Sequence, residues 1–358
     1  MTGAVVDLTL AGISAFRFYR VPPQVLALLP PVAQARDYGR RGLYGHPLVG
    51  EALGGTPLTC LATARRQSTG ARWINWTLVQ GELPFGHVLD TDFSIGVTSP
   101  ALTLITLGRK LSVTRLAMAA YELTGYFSVF CPSDEMEEAL ASNAGMLRDS
   151  GVRSWHRVPR EDGRRGDLWQ RAPLADLDEL ASFARVNAKL RGAGKLAEAL
   201  SLVNGVVASP FEARLSALLT FPRRLGGCAL EGFENNRKVV LDATGRTLSN
   251  KNACYVDLYH PGAPGGRPLA VECQGGAIHT LARVALDDAD RQVALRGMGI
   301  DVIPVTYRQV RDVENYHALA RLITGLCGRK LPSRTSQFVR AENALRHEIL
   351  GDWAHMFD

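Results

Sequence analysis

Residues 253–261, ACYVDLYHP, and residues 267–275, RPLAVECQG, are two apolar runs that each carry an acidic side chain. Both runs are bounded by proline or glycine, which is typical of short strands. Fourteen residues separate Asp257 from Glu272, so the two runs can form neighbouring strands. A carboxylate within an apolar strand is costly unless it is paired or binds a cation. The two runs therefore predict a pair of strands that carries a polar site.

The alternation of side chains along the second run places two polar groups together. Glu272 and Gln274 should point to one face of the strand, and Val271 and Cys273 to the other. If the strands are neighbours, Asp257 and Glu272 can meet across them. Two adjacent carboxylates repel each other, and a hard divalent cation relieves that repulsion. We therefore expect Mg²⁺ (or Mn²⁺) at Asp257 and Glu272, where it could activate water and stabilise a phosphate.

A third acid precedes the strands. Ser209-Pro210-Phe211-Glu212 has the spacing of a capping box with proline at the first helical position. Glu212 can therefore be a third catalytic acid, or it can serve only as a cap. Gln274 can orient water but supplies no charge. Asp257 could also be a solvent-facing residue at a strand end, and Gln274 a surface residue, but polar groups paired within apolar strands favour a site.

The surrounding elements predict an α/β fold. The helix FEARLSALLTFP is followed by strands in NRKVVLDATG, ACYVDLYHP and RPLAVECQG, then by the helix VALDDADRQVALRGMG, the strand IDVIPVTYRQV and the helix NYHALARLITGL. The order α-β-β-β-α-β-α is typical of an α/β sandwich with a mixed sheet. We assign this domain to residues 208–328 and interpret residues 329–358, a polar and basic segment, as a C-terminal extension on the surface.

The motifs SPFE, YVDLYHP, LAVECQGGAIH and DADRQVALRGMGIDVIPVTYRQV together resemble the PD-(D/E)XK nuclease superfamily, over about residues 205–325. Within it, the chain is similar to the branch related to very-short-patch repair (Vsr-like) endonucleases. The motif positions fall on Asp257, Glu272, Gln274, Gly275, His279, Asp287 or Asp288, Arg291, Leu295, Gly299 and Val305-Thr306. The resemblance implies a restriction-endonuclease-like sandwich and a Mg²⁺-dependent hydrolase that cuts DNA phosphodiester bonds, in DNA repair, restriction or phage defence.

The chain departs from this family pattern in two places. Gln274 stands where the superfamily has its catalytic lysine, and the segment between Gln274 and His279 is about one residue longer than expected. The resemblance assigns phosphate contacts to His279 and Arg291. Alternatively, His279 caps or packs a helix start, and Arg291 holds a carboxylate or pairs with Asp287 one helical turn away. The alternative function is therefore a non-cutting protein of nuclease fold that binds DNA or acts as an antitoxin-like regulator.

The first part of the chain predicts an α+β domain over residues 1–130. Short strands and loops are expected up to residue 98, and helices over SPALTLITLGRKLSVTRLAMAAYELTG, from a cap at Ser99-Pro100 to an end at Gly125. This segment resembles abortive-infection (AbiE-type) antitoxin-like proteins, which implies a DNA-positioning or regulatory module; it could equally be a scaffold. A protein partner in a toxin–antitoxin or defence system would follow. Tyr121 and Glu122 can be core and cap residues or functional ones.

Residues 131–207 are interpreted as a linker and helical region. They include SWHRVPREDGRRGDLWQR, an expected exposed loop or hairpin that could contact a nucleic-acid backbone or simply be a solvated connection. The net charge of +6 is spread along the 358 residues, and the six cysteines lack zinc-ribbon spacing. Neither a signal peptide nor a membrane span is predicted. We therefore expect a cytoplasmic protein with DNA as its partner and no membrane association.

Overall fold

A computed structural model describes residues 8–31, 45–63, 72–79, 83–160, 163–274 and 282–358, with only the backbone for residues 282–288. The fold is mixed α/β, as predicted. Its strands are β1 Thr9–Leu10, β2 Leu58–Ala62, β3 Ile74–Leu78, β4 Val88–Asp90, β5 Gly96–Thr98, β6 Phe127–Val129, β7 His156–Pro159, β8 Arg165–Gln170, β9 Glu234–Val240, β10 Ala253–His260, β11 Leu269–Gln274 and β12 Asp301–Thr306.

The helices precede, connect and follow these strands. They are α1 Gly12–Arg20, α2 Pro23–Leu26, α3 Pro100–Leu107, α4 Val113–Thr124, α5 Asp134–Ser142, α6 Ala144–Asp149, α7 Leu177–Val186, α8 Ala193–Leu200, α9 Pro210–Thr220, α10 Ala243–Ser249, α11 Ala282–Gly297, α12 Tyr307–Arg311, α13 Val313–Leu326 and α14 Ser336–Ile349. A π-helical turn spans Leu48–Ala52 and a 3-10 turn spans Arg223–Leu225.

The strands form three sheets. The first has the order β3-β2-β1-β5-β4 and the second the order β6-β8-β7; the third, β12-β11-β10-β9, carries the candidate site residues Asp257 and Glu272. In the third sheet β10 is antiparallel to both neighbours, whereas β11 and β12 are parallel. The predicted mixed sheet is therefore confirmed. The segment around residues 154–171 is a hairpin, because β7 and β8 pair antiparallel.

Helix starts follow the predicted caps. The hydroxyl of Ser99 accepts from the Leu102 amide at 3.3 Å, and that of Ser209 accepts from the Glu212 amide at 3.2 Å, each ahead of a proline in the first turn. Helix α4 ends at Gly125, as expected. A side chain could not fit there, since a Cβ would lie 2.6 Å from the Tyr121 carbonyl oxygen. These starts and stops depend on local chemistry, which explains why they could be predicted.

Two elements differ from the expectations. Helix α1 occupies a segment expected to hold short strands and loops, and α10 interrupts the predicted run of three strands. Asp242 caps α10 by accepting from the Gly245 amide at 2.7 Å. In the region interpreted as a linker and helical region, residues 134–149 form two short helices, α5 and α6. Such short helices are held by packing and caps more than by their own propensity.

The interpretation of residues 329–358 as a surface extension is wrong. Helix α14 and the residues after it bury Leu345, Ile349, Trp353 and Phe357 in the largest hydrophobic cluster of the described structure. The same cluster contains Phe16 of α1 and the apolar faces of α4 and α9. Arginines made the segment look solvated, but Arg346 is 7% exposed and donates to the carbonyl oxygens of Val310 and Arg311. The predicted domain boundaries stay predictions; this core runs across them.

Tyr121 and Glu122 are core residues of α4. Tyr121 is fully buried, and its hydroxyl lies 3.0 Å from the hydroxyl of Ser216 on α9. Glu122 is also fully buried and accepts from Arg20, from the Val129 amide and from the Trp353 indole. Its carboxylate thereby connects α1, β6 and the C-terminal tail. Within the described ranges, no helix combines the length and apolar character that crossing a bilayer requires.

Candidate active site

The two predicted strands are neighbours in the sheet. Strands β10 and β11 pair antiparallel with Leu258 opposite Val271, the residues next to Asp257 and Glu272. The Asp257 carboxylate turns into the strand pair, because its Oδ2 accepts from the Cys273 amide at 2.7 Å. The predicted neighbouring strands are therefore confirmed, and the meeting of the two carboxylates stays a prediction.

The two faces of β11 have different surroundings. Val271 and Cys273 pack in the main core, which also contains α9. Ala270 packs on the opposite side, in a second cluster with Val256 and with Leu295 of α11. Glu272 lies on the same face of β11 as Ala270, where it contacts Arg291 of α11. This confirms the predicted alternation. Gln274 lies half-buried at the end of β11, opposite Thr306 of β12.

Glu272 is held by an arginine. Its side chain is only 3% exposed, and its Oε2 lies 2.8 Å from Nη2 of Arg291, whose side chain is 25% exposed. Of the alternatives for Arg291, the structure places it on a carboxylate of β11; the Asp287 side chain lies outside the described residues. A charged hydrogen bond of this kind offsets part of the cost of burying Glu272. Helix α11 thus supplies a positive charge beside the strand that carries Gln274.

Glu212 is both a cap residue and a member of the acidic group. Its Oε2 accepts from the Ala208 amide at 2.7 Å, and its Oε1 accepts from the Ser209 hydroxyl at 2.8 Å. The contact to Ala208, rather than to the Ser209 amide, shifts the predicted capping box by one residue. Burial, then the charge of Asp257 and more weakly that of Glu272, raise the pKa of Glu212 to about 8, against the lowering effect of its two hydrogen bonds.

The Cys273 thiol is affected by the same three charges. Its surroundings raise the pKa of the thiol well above its ordinary value, first through burial and then through Asp257, Glu212 and Glu272. The thiol is thus neutral at physiological pH. The three acids come from α9, β10 and β11, so the charges that act on this thiol come from three elements. The cysteine was not predicted as part of the site, because its neighbours in space are far apart in sequence.

The donor chemistry suits a hard cation, although the described residues do not form a closed metal site. Over the described ranges, no group of three His, Cys, Asp or Glu side chains is arranged to hold a metal ion. Mg²⁺ often uses only one or two carboxylates and keeps several waters. Asp257 and Glu272 could serve in that way, and the mutual repulsion that raises the pKa of Glu212 is of the kind that a cation relieves.

The remaining motif positions divide into structural roles and positions outside the described residues. His279 and Gly275, together with the side chains of Asp287 and Asp288, belong to the second group. Leu295 and Val305 are fully buried core residues. Gly299 has φ +79° between α11 and β12, a conformation that favours glycine. Thr306 begins α12 with a capping box completed by Gln309.

Comparisons of the chain with protein-family models, with curated proteins and with solved structures find no match.

Proposed function

We propose that this chain is a metal-dependent endonuclease of the PD-(D/E)XK type that cuts DNA phosphodiester bonds, with a restriction-endonuclease-like sandwich around β9–β12. One observation carries the proposal: Glu212 of α9 lies near enough to Asp257 of β10 and Glu272 of β11 for the charges of both to raise its pKa. A carboxyl group whose pKa is strongly shifted by neighbouring acids is typical of functional sites. The origin of the three acids in α9, β10 and β11 matches the motif positions of the resemblance.

Asp257 and Glu272 are the residues that would hold Mg²⁺ or Mn²⁺. When bound, such a cation lowers the pKa of a water molecule and stabilises negative charge on a phosphate. Gln274, on the Glu272 side of β11, would orient the attacking water through its amide. Glu212 lies near both of these carboxylates and would exchange a proton with that water. Arg291 positions Glu272 through the 2.8 Å ion pair, and His279 would contact the phosphate.

A second function is supported by a specific observation. Each of the three carboxylates already has a protein donor: Arg291 for Glu272, the Cys273 amide for Asp257, and Ala208 with Ser209 for Glu212. With glutamine at position 274, these contacts also suit a protein of nuclease fold that binds DNA without cutting it. Such a protein could act as an antitoxin-like regulator.

Plasmid cleavage tests the first function against the second. Supercoiled plasmid is incubated with wild type, Asp257→Asn and Glu272→Gln, in Mg²⁺, in Mn²⁺ and in EDTA. The matched controls are Asp352→Asn and Glu231→Gln, which remove charge from exposed acids. Thermal unfolding of each variant separates loss of chemistry from loss of fold.

The endonuclease proposal expects nicking by wild type and both controls in the divalent cation, with at least a ~100-fold loss in the site variants. Equal cleavage by all five proteins would overturn the assignment of the site. Absence of cleavage in all five, with DNA retained by folded wild type in a gel-shift assay, would overturn the enzyme and leave the binding function.

A further inference from the structure

A second concave site lies away from the acidic group, between α5, α6 and the β7–β8 hairpin. The cavity has a volume of about 450 Å³, within the range of small-ligand sites. Its wall is apolar, formed by Leu140, Leu147, Trp155 and Trp169. Its rim carries Arg148, Arg157, Arg164 and Arg165. We call this cavity the arginine–tryptophan groove. The combination of an aromatic wall and a cationic rim is that of a nucleotide site.

One acid, Glu137, binds two of the arginines at the rim. Glu137 of α5 forms ion pairs with Arg157 and with Arg165, the latter at 2.6 Å. Burial alone would raise the pKa of Glu137, but the hydrogen bonds from these two arginines hold it below its ordinary value. Glu137 therefore stays ionised and fixes two guanidinium groups at the rim. Four arginines against this one acid leave the lining with a charge of +3.

The positive charge of the groove lies on its hairpin side. Residues 148–171 contain seven arginines and four acids, a net charge of +3. Helix α5, on the other side, carries Asp134, Glu135, Glu137 and Glu138, of which Glu137 lines the cavity. A cationic patch of this kind attracts phosphate and raises the rate of encounter with a polyanion.

The tryptophans are held in place before any ligand arrives. Both main-chain groups of Trp155 bind the side-chain amide of Gln24, at 2.9 and 3.0 Å. The Arg171 guanidinium lies over the Trp155 ring, 5.4 Å from the ring centroid. The Arg157 guanidinium lies over the Trp169 ring, 4.9 Å from its centroid. The Trp169 indole also donates to the Phe130 carbonyl oxygen at 2.9 Å. A wall fixed in this way loses little entropy when a ring stacks on it.

We propose that the arginine–tryptophan groove binds an unpaired segment of DNA, with one base against the Trp155 wall and the flanking phosphates at Arg148 and Arg164. A duplex keeps its bases stacked inside the helix, so only a single strand can present a base face to a cavity of this size. The choice of DNA rests on the proposed function; the choice of a single-stranded nucleic acid rests on the groove itself.

The groove is connected to the acidic site through main-chain hydrogen bonds. The Arg171 amide, directly after β8, donates to Tyr126, and the Tyr126 amide donates to Val207, which precedes the Ala208 that binds Glu212. Three strand spacings separate β7 from Val207 along this path, or roughly 15 Å. The groove and the acidic group are thus linked by a short main-chain path.

Fluorescence anisotropy in EDTA tests the proposal without cleavage. The probes are a labelled 20-nucleotide single-stranded DNA, the same sequence as RNA, and the blunt duplex. The variants are Trp155→Leu and the double variant Arg148→Ala/Arg164→Ala. Their matched controls are Phe85→Leu, at a fully exposed aromatic residue, and Arg224→Ala/Arg329→Ala, which removes the same charge from exposed ion pairs elsewhere. Thermal unfolding identifies any variant that has lost its fold.

The proposal expects wild type to bind the single-stranded DNA more tightly than the duplex. Trp155→Leu should weaken binding about tenfold, and the double arginine variant should lower the salt slope by roughly 1.4, as the loss of two phosphate contacts requires. The affinity of both controls for the single-stranded DNA should stay within about twofold of the wild-type affinity. Binding that is absent, that favours the duplex, or that falls equally in variants and controls would overturn it.

Two further outcomes separate this proposal from the proposed function. Tighter binding of RNA than of DNA would overturn the choice of DNA while leaving the groove as a site for an unpaired strand. Binding that depends on Trp155 in a protein that cuts no plasmid would uphold the groove and overturn the endonuclease.

Discussion

Nη2 of Arg291 lies 2.8 Å from Oε2 of Glu272 and thereby joins helix α11 to the interior strand β11. Removing the arginine alone leaves a nearly buried carboxylate without this partner. Because a quarter of the Arg291 side chain is exposed, we expect Arg291→Met to lower the free energy of unfolding by ~2–3 kcal/mol, less than for a fully buried pair. Urea unfolding at pH 7 measures the loss.

The double variant Glu272→Gln/Arg291→Met should recover part of that loss, because the charge that Arg291 balances is then removed as well. The matched control is Arg267→Met, which breaks the more exposed pair with Asp301 and should cost less than ~1 kcal/mol. Equal effects of the two single methionine variants would contradict the role given to Arg291.

Glu212 should make stability depend on pH. Its pKa is about 8 in the fold and near 4.3 in an unfolded chain. Between these values the folded state binds more protons, so its contribution to stability is complete at low pH and declines as pH rises toward 8. Glu212→Gln keeps a group that can accept and donate but removes the titration. We expect it to stabilise the protein by ~1–3 kcal/mol at pH 8.5 and by far less at pH 5.

Denaturant unfolding of wild type and Glu212→Gln from pH 5 to 9 measures that difference. Glu231→Gln, at an exposed acid, should follow the wild-type curve throughout. Parallel curves for Glu212→Gln and wild type would show that Glu212 is ionised in the fold, and the acidic group would lose its central member.

The Glu122 carboxylate should be among the most sensitive positions of the core. It accepts from Arg20 at 2.8 Å and from the Trp353 indole at 2.7 Å while fully buried. Glu122→Gln leaves Arg20 without its counter-charge and should destabilise the fold by ~3–5 kcal/mol. Trp353→Phe loses only the indole hydrogen bond and should cost ~1–2 kcal/mol.

Thermal unfolding of both variants, beside Glu179→Gln on the exposed face of α7, checks this order. If Glu122→Gln behaved like the exposed control, the carboxylate would not be what connects α1, β6 and the tail. A larger loss of stability in Trp353→Phe than in Glu122→Gln would show that packing of the Trp353 ring contributes more to stability than the Glu122 carboxylate.

Gln274→Lys tests why glutamine occupies the end of β11. A lysine there would add a positive charge on the Glu272 side of the sheet, where the resemblance expects one. If the chain cuts DNA, we expect cleavage in Mg²⁺ to rise by ~10-fold or more, because charge placed beside a reacting phosphate stabilises the transition state. Gln170→Lys, at an exposed residue of β8, controls for added charge. If Gln274→Lys lost activity and Gln170→Lys did not, the site would accept no positive charge beyond that of Arg291.

The features that could be predicted from sequence depend on neighbours along the chain. Ser99-Pro100 and Ser209-Pro210 begin helices, Gly125 ends one, and the alternation at Val271 and Cys273 follows from the period of a strand. The pairing of β10 with β11 was also accessible, because a short Gly/Pro connection favours adjacent strands. The same locality explains the Glu212 cap.

The features that could not be predicted depend on partners far along the chain. Arg291 was expected to hold a phosphate or a carboxylate or to pair with Asp287, but the carboxylate that it holds, Glu272, lies 19 residues away and could not be identified from the sequence. Glu122 meets Trp353 across 231 residues. The tail looked solvated because periodicity does not reveal that Arg214 and Arg346 end on main-chain carbonyl oxygens. Sequence alone indicated the acidic strands, but not the charges that surround them.

The C-terminal tail also sets an order of events during synthesis. Arg20 donates to the Trp353 and Ala354 carbonyl oxygens, the latter 334 residues later in the chain. At ribosomal rates of about 5–20 residues per second, helix α1 waits roughly 20–70 seconds for these partners. During that interval the apolar surface that Phe357 will cover, beside Phe16, is exposed on the nascent chain. The N-terminal region therefore completes its core only after residues 353–357 have been synthesised.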